Sequence, residues 1–133
     1  MSHFDRLRTP LKNARGLGSA KDGVHHFIIQ RITAIALIFL AVYVVVVVIS
    51  LVGSDYAGAR AVVAHPVNAV LLIAFLVAML WHAQLGLQVI IEDYMHTAWL
   101  AITAQLLVRY ACILAALAGV LAIVRIALGG LTE

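Results

Sequence analysis

Two stretches of this chain contain no Asp, Glu, Lys or Arg at all: residues 32–53 and residues 61–91. A third, from about Thr97 to Gly130, is broken only by Arg109 and Arg125. A helix needs about 20 apolar residues to cross a bilayer, and each run is long enough. Inside lipid every backbone N–H and C=O must be satisfied within the protein, which leaves helices and closed barrels. These runs lack the alternation of barrel strands. Residues 42–49 are rich in β-branched side chains, which in water would favour a strand, but the same backbone requirement makes them helical here. The expected fold is an all-α membrane protein with three transmembrane helices, at about residues 23–53, 66–92 and 97–128, behind an N-terminal arm of residues 1–22. Pro66 suits the first turn of the second helix, and Asp22 suits the cap of the first.

Composition supports this reading. The chain is 65% hydrophobic and 11% charged, far from the balance of a soluble domain. Six of its nine Lys and Arg residues fall within the first 31 positions: Arg6, Arg8, Lys12, Arg15, Lys21 and Arg31. By the positive-inside rule the N-terminus is cytoplasmic. Three crossings then put the 54–64 connector outside, the 92–97 turn inside and the C-terminus outside, in the periplasm. The basic segment is an orientation signal and a contact for anionic headgroups or a soluble partner, not a nucleic-acid surface. The leader before the first apolar run is too extended, and the run too long, for a cleaved signal peptide. The single cysteine, Cys112, lies within a span and excludes an internal disulfide or a cysteine-only metal site.

Within the second run stands His82, followed at its end by Glu92, Asp93 and Tyr94. A titratable side chain in hydrocarbon is expensive and points to function, and an imidazole nitrogen is a common axial ligand of haem iron. At 100° per residue, Gly86, Val89 and Asp93 share a face with His82, and Asp93 lies about 16 Å along the axis. Gly86 leaves room on that face for a flat ring. The competing reading is a histidine bonded to a neighbouring helix as interhelical glue, and spacing does not choose between them. His65 and His96 lie about 25 and 21 Å from His82 along the helix axis. His25 and His26 sit near the inner end of span one, and His3 is in the arm. A second axial ligand would therefore come from another chain. Asp93 and Tyr94 stand where a quinone headgroup can enter: a phenol donates to a carbonyl, and a carboxylate holds or relays a proton. The bland alternatives are an interfacial tyrosine and a helix-capping aspartate. Arg31, at the inner end of span one, suits a haem carboxylate or a lipid phosphate but equally a snorkelling orientation signal. Arg109 falls about 20 Å into the third helix and is assigned no site.

The pattern His82-x10-Asp93-Tyr94 in a second span resembles the D-type hydrophobic membrane anchor subunit of succinate dehydrogenase, respiratory complex II. Gly23-Val24-His25 followed by Arg31-x-Thr33-Ala34 resembles the first-helix signature of that family. The resemblance covers roughly residues 21–110, in the same three-span order. It implies a bacterial inner-membrane subunit that pairs with a second, cytochrome b556-type anchor, with haem b held between them by one histidine from each. His82 matches the metal ligand. Tyr94 matches the tyrosine that hydrogen-bonds ubiquinone, and Asp93 its acidic neighbour. His25 and Arg31 match basic positions near the haem propionates and the quinone site. A flavoprotein subunit and an iron–sulfur subunit are implied on the cytoplasmic face. Two features depart from the pattern: His26 stands where some relatives are acidic or polar, and the arm of residues 1–20 is longer than in the shorter members.

Three functions compete at this point. The first is the anchor and quinone-reducing subunit of a succinate:ubiquinone oxidoreductase. It would be part of an enzyme with no catalytic residue of its own for succinate chemistry, since the chain carries no flavin fingerprint and no cysteine cluster. The second is the anchor of a quinol:fumarate reductase, running the other way. The third is a non-redox small membrane protein. A proton-coupled transporter usually needs a carboxylate inside a span, and every acid here lies at an end.

Overall fold

A computed structural model of the chain describes residues 20–129, and the side chains from residue 24 onward. Four helices follow in order: α1 (Ala20–Ser50), α2 (Tyr56–Ala64), α3 (Pro66–Tyr94) and α4 (Ala98–Gly129). No strand occurs among the described residues. Three of the helices are long and apolar enough to cross a membrane. At 31, 29 and 32 residues they run about 46, 44 and 48 Å. That exceeds a hydrocarbon core of about 30 Å, so they tilt or project at their ends.

The boundaries have local causes. Helix α1 begins at Ala20, so Asp22 lies inside its first turn rather than at its cap. It ends at Ser50, and Gly53 reverses the chain at φ +83°, a left-handed conformation that side chains other than glycine rarely adopt. Residues 54–64, expected only as a connector between two spans, hold the short helix α2. Asp55 caps it, its carboxylate accepting from the Gly58 N–H at 2.8 Å, which satisfies one of the orphan donors of a helix start. Helix α2 ends because Pro66 forces His65 into an extended conformation, φ −60° and ψ 126°. Pro66 then opens α3 at its first turn.

Helix α3 is the central element. Helices α1 and α4 each pack against it, α2 packs on both α3 and α4, and α1 and α4 do not pack on each other among the described residues. The result is an open row of three spans. Among the described residues only Val47, Ala69, Leu85 and Ile91 are buried. Large apolar side chains cover the outside: Phe39 is 72% exposed and Leu114 66%. A water-soluble chain could not leave so much contiguous apolar surface open. The protein is a multi-pass membrane protein whose outer surface is solvated by lipid or by other subunits.

The seams use the two devices expected where lipid removes any hydrophobic drive for helices to associate. The first is a small residue at a close approach: a Cβ added to Gly119 of α4 would overlap the Leu76 side chain of α3. The second is interhelical hydrogen bonding. Near the N-terminal end of α3, Tyr43 of α1 donates to Asn68 Oδ1 of α3 at 2.6 Å, and Asn68 Nδ2 donates to the Val62 carbonyl of α2 at 2.7 Å. Arg60 of α2 reaches the Gly129 carbonyl at 3.2 Å, placing a cation at the C-terminal end of α4, where the helix dipole favours it.

Candidate functional site

His82 sits in α3 twelve residues from Tyr94, about 18 Å from the helix end. Its ring is half-buried and turned toward α1. There the Nδ1 atom lies 3.0 Å from the Thr33 hydroxyl. Thr33 is thirteen residues from the start of α1, about 20 Å along it, so the two side chains meet at matching depth. The same hydroxyl lies 3.0 Å from the carbonyls of Ile29 and Gln30, and a carbonyl can only accept. When the single hydroxyl proton is donated to one of them, the Thr33 oxygen accepts from Nδ1–H of His82. That fixes the proton at Nδ1 and leaves a lone pair on Nε2, the tautomer a metal-binding imidazole needs. One turn on, Gly86 faces Gln30 of α1, whose Nε2 would lie 4.0 Å from an added Cβ.

His82 offers a single imidazole nitrogen, Nε2, to a ligand. Among the described residues no three His, Cys, Asp or Glu side chains gather into a metal-binding group. The chemistry of the donor set nevertheless fits a haem. A haem would bring its own four porphyrin nitrogens, so one imidazole from this chain would be a sufficient contribution to holding it.

Asp93 and Tyr94 close α3 at its C-terminal end. Both are exposed, Tyr94 at 78%. Neither has a hydrogen-bond partner among the described residues, so the phenol and the carboxylate are open to a ligand or another subunit. Arg31 is exposed on α1 with its guanidinium 4.6 Å from the centre of the Phe27 ring, a cation–π pair one turn apart. It stands about 160° around α1 from Thr33 and does not join His82 within this chain. His25 is also exposed. It lines a groove over α3 together with Gln84, Gln88 and Arg109.

Sequence reasoning assigned no role to a set of polar side chains that ties the three spans together near the C-terminal end of α3. His26 of α1 donates from Nε2 to Gln88 Oε1 at 3.3 Å. Gln88 Nε2 donates to Glu92 Oε1 at 2.8 Å, and Gln105 Nε2 of α4 donates to the same oxygen at 3.3 Å. Helices α1 and α4, which do not pack together, are thus linked through α3. The Thr33–His82 bond was also missed. The signal for it was depth, since Thr33 and His82 each lie ten residues from the adjacent ends of the expected spans 23–53 and 66–92.

The family of succinate dehydrogenase/fumarate reductase transmembrane subunits matches residues 5–123. The chain is 34% identical over 117 residues to the succinate dehydrogenase hydrophobic membrane anchor subunit of Rickettsia bellii, covering 88% of this chain and 94% of the relative. It is 32% identical over 118 residues to the subunit of the same name from Rickettsia conorii, covering 88% and 94%. It is 31% identical over 128 residues to that of Paracoccus denitrificans, covering 95% and 97%. No solved structure matches the chain at a significant level. With its three apolar helices and a profile match that runs through all of them, the chain belongs to the succinate dehydrogenase/fumarate reductase transmembrane subunit family.

Proposed function

We propose that this chain anchors a succinate:ubiquinone oxidoreductase in the bacterial inner membrane and supplies part of its haem and quinone sites. His82 would hold haem b through Nε2, together with a ligand supplied by a second, cytochrome b556-type anchor subunit. The observation that carries this reading is the Thr33–His82 contact at 3.0 Å, which orients the ring and leaves one nitrogen unused. When bound, the haem supplies a one-electron store close to the quinone. Arg31 and His25 are the basic groups offered to its propionates and to the quinone site.

Tyr94 donates a hydrogen bond to a ubiquinone carbonyl, and Asp93 beside it holds a proton for the reduced oxygen. Both are exposed at the inner end of α3. There an iron–sulfur subunit docked on the cytoplasmic face, with the flavoprotein subunit beyond it, can deliver electrons. Cytoplasmic placement of the N-terminus and of the Asp93–Tyr94 turn, with a periplasmic C-terminus, follows from the cluster of basic residues before and within the start of α1. The names of the relatives favour succinate oxidation over fumarate reduction as the working direction.

The direct test replaces the ligand. His82→Leu, co-expressed with the partner subunits, should abolish the b-type absorbance of the purified complex while the subunits remain together. An unchanged spectrum and haem content in that variant would end the assignment.

A further inference from the structure

Arg109 is a cation inside an apolar helix, and neither the haem nor the quinone reading uses it. It lies eleven residues into α4, about 16 Å along the axis. The overhang of α4 beyond a hydrocarbon core of about 30 Å comes to about 18 Å. Shared between the two ends, it puts Arg109 roughly 7 Å inside the boundary at the Tyr94 end. A guanidinium at that depth needs an anion or a polar cavity. Among the described residues Arg109 makes no hydrogen bond, ion pair or ring contact.

What surrounds it is a groove of about 540 Å³, open because α1 and α4 stand apart over α3. Its polar lining is His25, His26, Gln84, Gln88 and Arg109, with Trp81 beside them. No carboxylate lines it. Glu92, one turn beyond Gln88, has its Oε1 taken by the amides of Gln88 and Gln105. The Gln84 amide forms no hydrogen bond among the described residues, and Gln88 keeps one N–H beyond the one given to Glu92. Gln84 and Gln88 stand about 160° and 120° around α3 from His82, so this is a different face from that of the imidazole. The groove continues between α3 and α4 into a smaller apolar cleft of about 120 Å³, which shares Trp81, Gln84 and Ile113 with it and adds Val77, Leu80 and Ala116.

A positive, donor-rich pocket that opens just below the headgroups and runs into an apolar cleft toward the bilayer centre has the shape and polarity of a phospholipid whose phosphate is drawn slightly inward to meet the guanidinium. We propose that this groove binds an anionic phospholipid of the leaflet at the Tyr94 end. Arg109 pairs with the phosphate, Gln84 and Gln88 donate neutral hydrogen bonds to it, and an acyl chain lies in the cleft above. The apolar continuation selects a lipid over free phosphate, and the absence of a carboxylate in the lining selects an anion over a cation.

The test uses the whole complex, purified in mild detergent and reconstituted in phosphatidylcholine nanodiscs containing phosphatidylglycerol. Bound phosphatidylglycerol is counted by native mass spectrometry. Arg109→Gln should weaken its retention about tenfold, the loss expected for one charge-assisted hydrogen bond. Gln84→Leu, which leaves the cation in place, should weaken it to a lesser degree. Arg125→Gln, at the other end of α4, should leave it unchanged, and millimolar inorganic phosphate should not displace it. Retention equal to wild type in both Arg109→Gln and Gln84→Leu would overturn the proposal. So would displacement by inorganic phosphate, or loss of a partner subunit from Arg109→Gln in place of lipid, which would mark the occupant as a partner's carboxylate.

Discussion

Thr33→Val separates the two readings of His82. Valine keeps the branched shape of threonine and removes only the hydroxyl, so the carbonyls of Ile29 and Gln30 lose an accessory contact while the seam between α1 and α3 stays filled. If the Thr33–His82 bond is interhelical glue, its loss costs about 0.6 kcal/mol, the average for such bonds in a membrane, and appears only as a small fall in stability. If the bond orients a metal ligand and fixes its tautomer, its loss costs about 10- to 100-fold in metal affinity. At about 1.4 kcal/mol per tenfold, that is roughly 1.4–2.8 kcal/mol, felt by the haem. The assay is haem retention of the purified complex during dilution or transfer to an apo-haem acceptor, with thermal unfolding measured in parallel. Thr33→Val should release haem at least about tenfold more readily, and Thr33→Ser, which retains the hydroxyl, should behave nearly as wild type. A Thr33→Val complex that holds haem as tightly as wild type, with only a small stability loss, would refute the second-ligand-shell argument and leave the glue reading standing.

Two other substitutions probe separate parts of the chain. Tyr94→Phe removes one donor from an exposed ring without disturbing packing. It should lower quinone reduction while sparing succinate oxidation by an artificial dye, and equal loss in both assays would contradict its role at the quinone. Gly119→Leu forces a side chain into the space held by Leu76. It should cost about 1–3 kcal/mol of overpacking, read as a lower melting temperature and yield of the solubilised complex, and an unchanged melting temperature would show that the close approach of α3 and α4 can relax at no cost.

Much of the site was legible because its signals are local. A histidine at residue 82 and the Asp93–Tyr94 pair follow one another along a single helix, so fixed rise and rotation place them without knowledge of any neighbour. Helix α2 was missed for the opposite reason. Residues 54–64 carry no long periodic run, and what makes them helical is the Asp55 carboxylate at one end and Pro66 at the other, with packing on α3 and α4 in between. Arg109 could be read only as an awkward cation, because its surroundings come from three different helices.

Sequence by itself determined the architecture: uncharged runs longer than a bilayer is thick must become helices, since lipid offers the backbone no other hydrogen-bond partners. It also determined which end holds the basic residues, and that Tyr94 lies at the opposite end of α3 from Pro66. Tertiary structure alone decided which faces meet. It put the Thr33 hydroxyl on Nδ1 of His82, joined His26, Gln88, Glu92 and Gln105 across three helices, and left Arg109 facing an open groove. The physical reason is that apolar spans in apolar solvent show almost no amphipathic stripe. Helix rotation is then set by a few polar pairs and small residues at the seams, and those are properties of pairs of helices, not of any one segment.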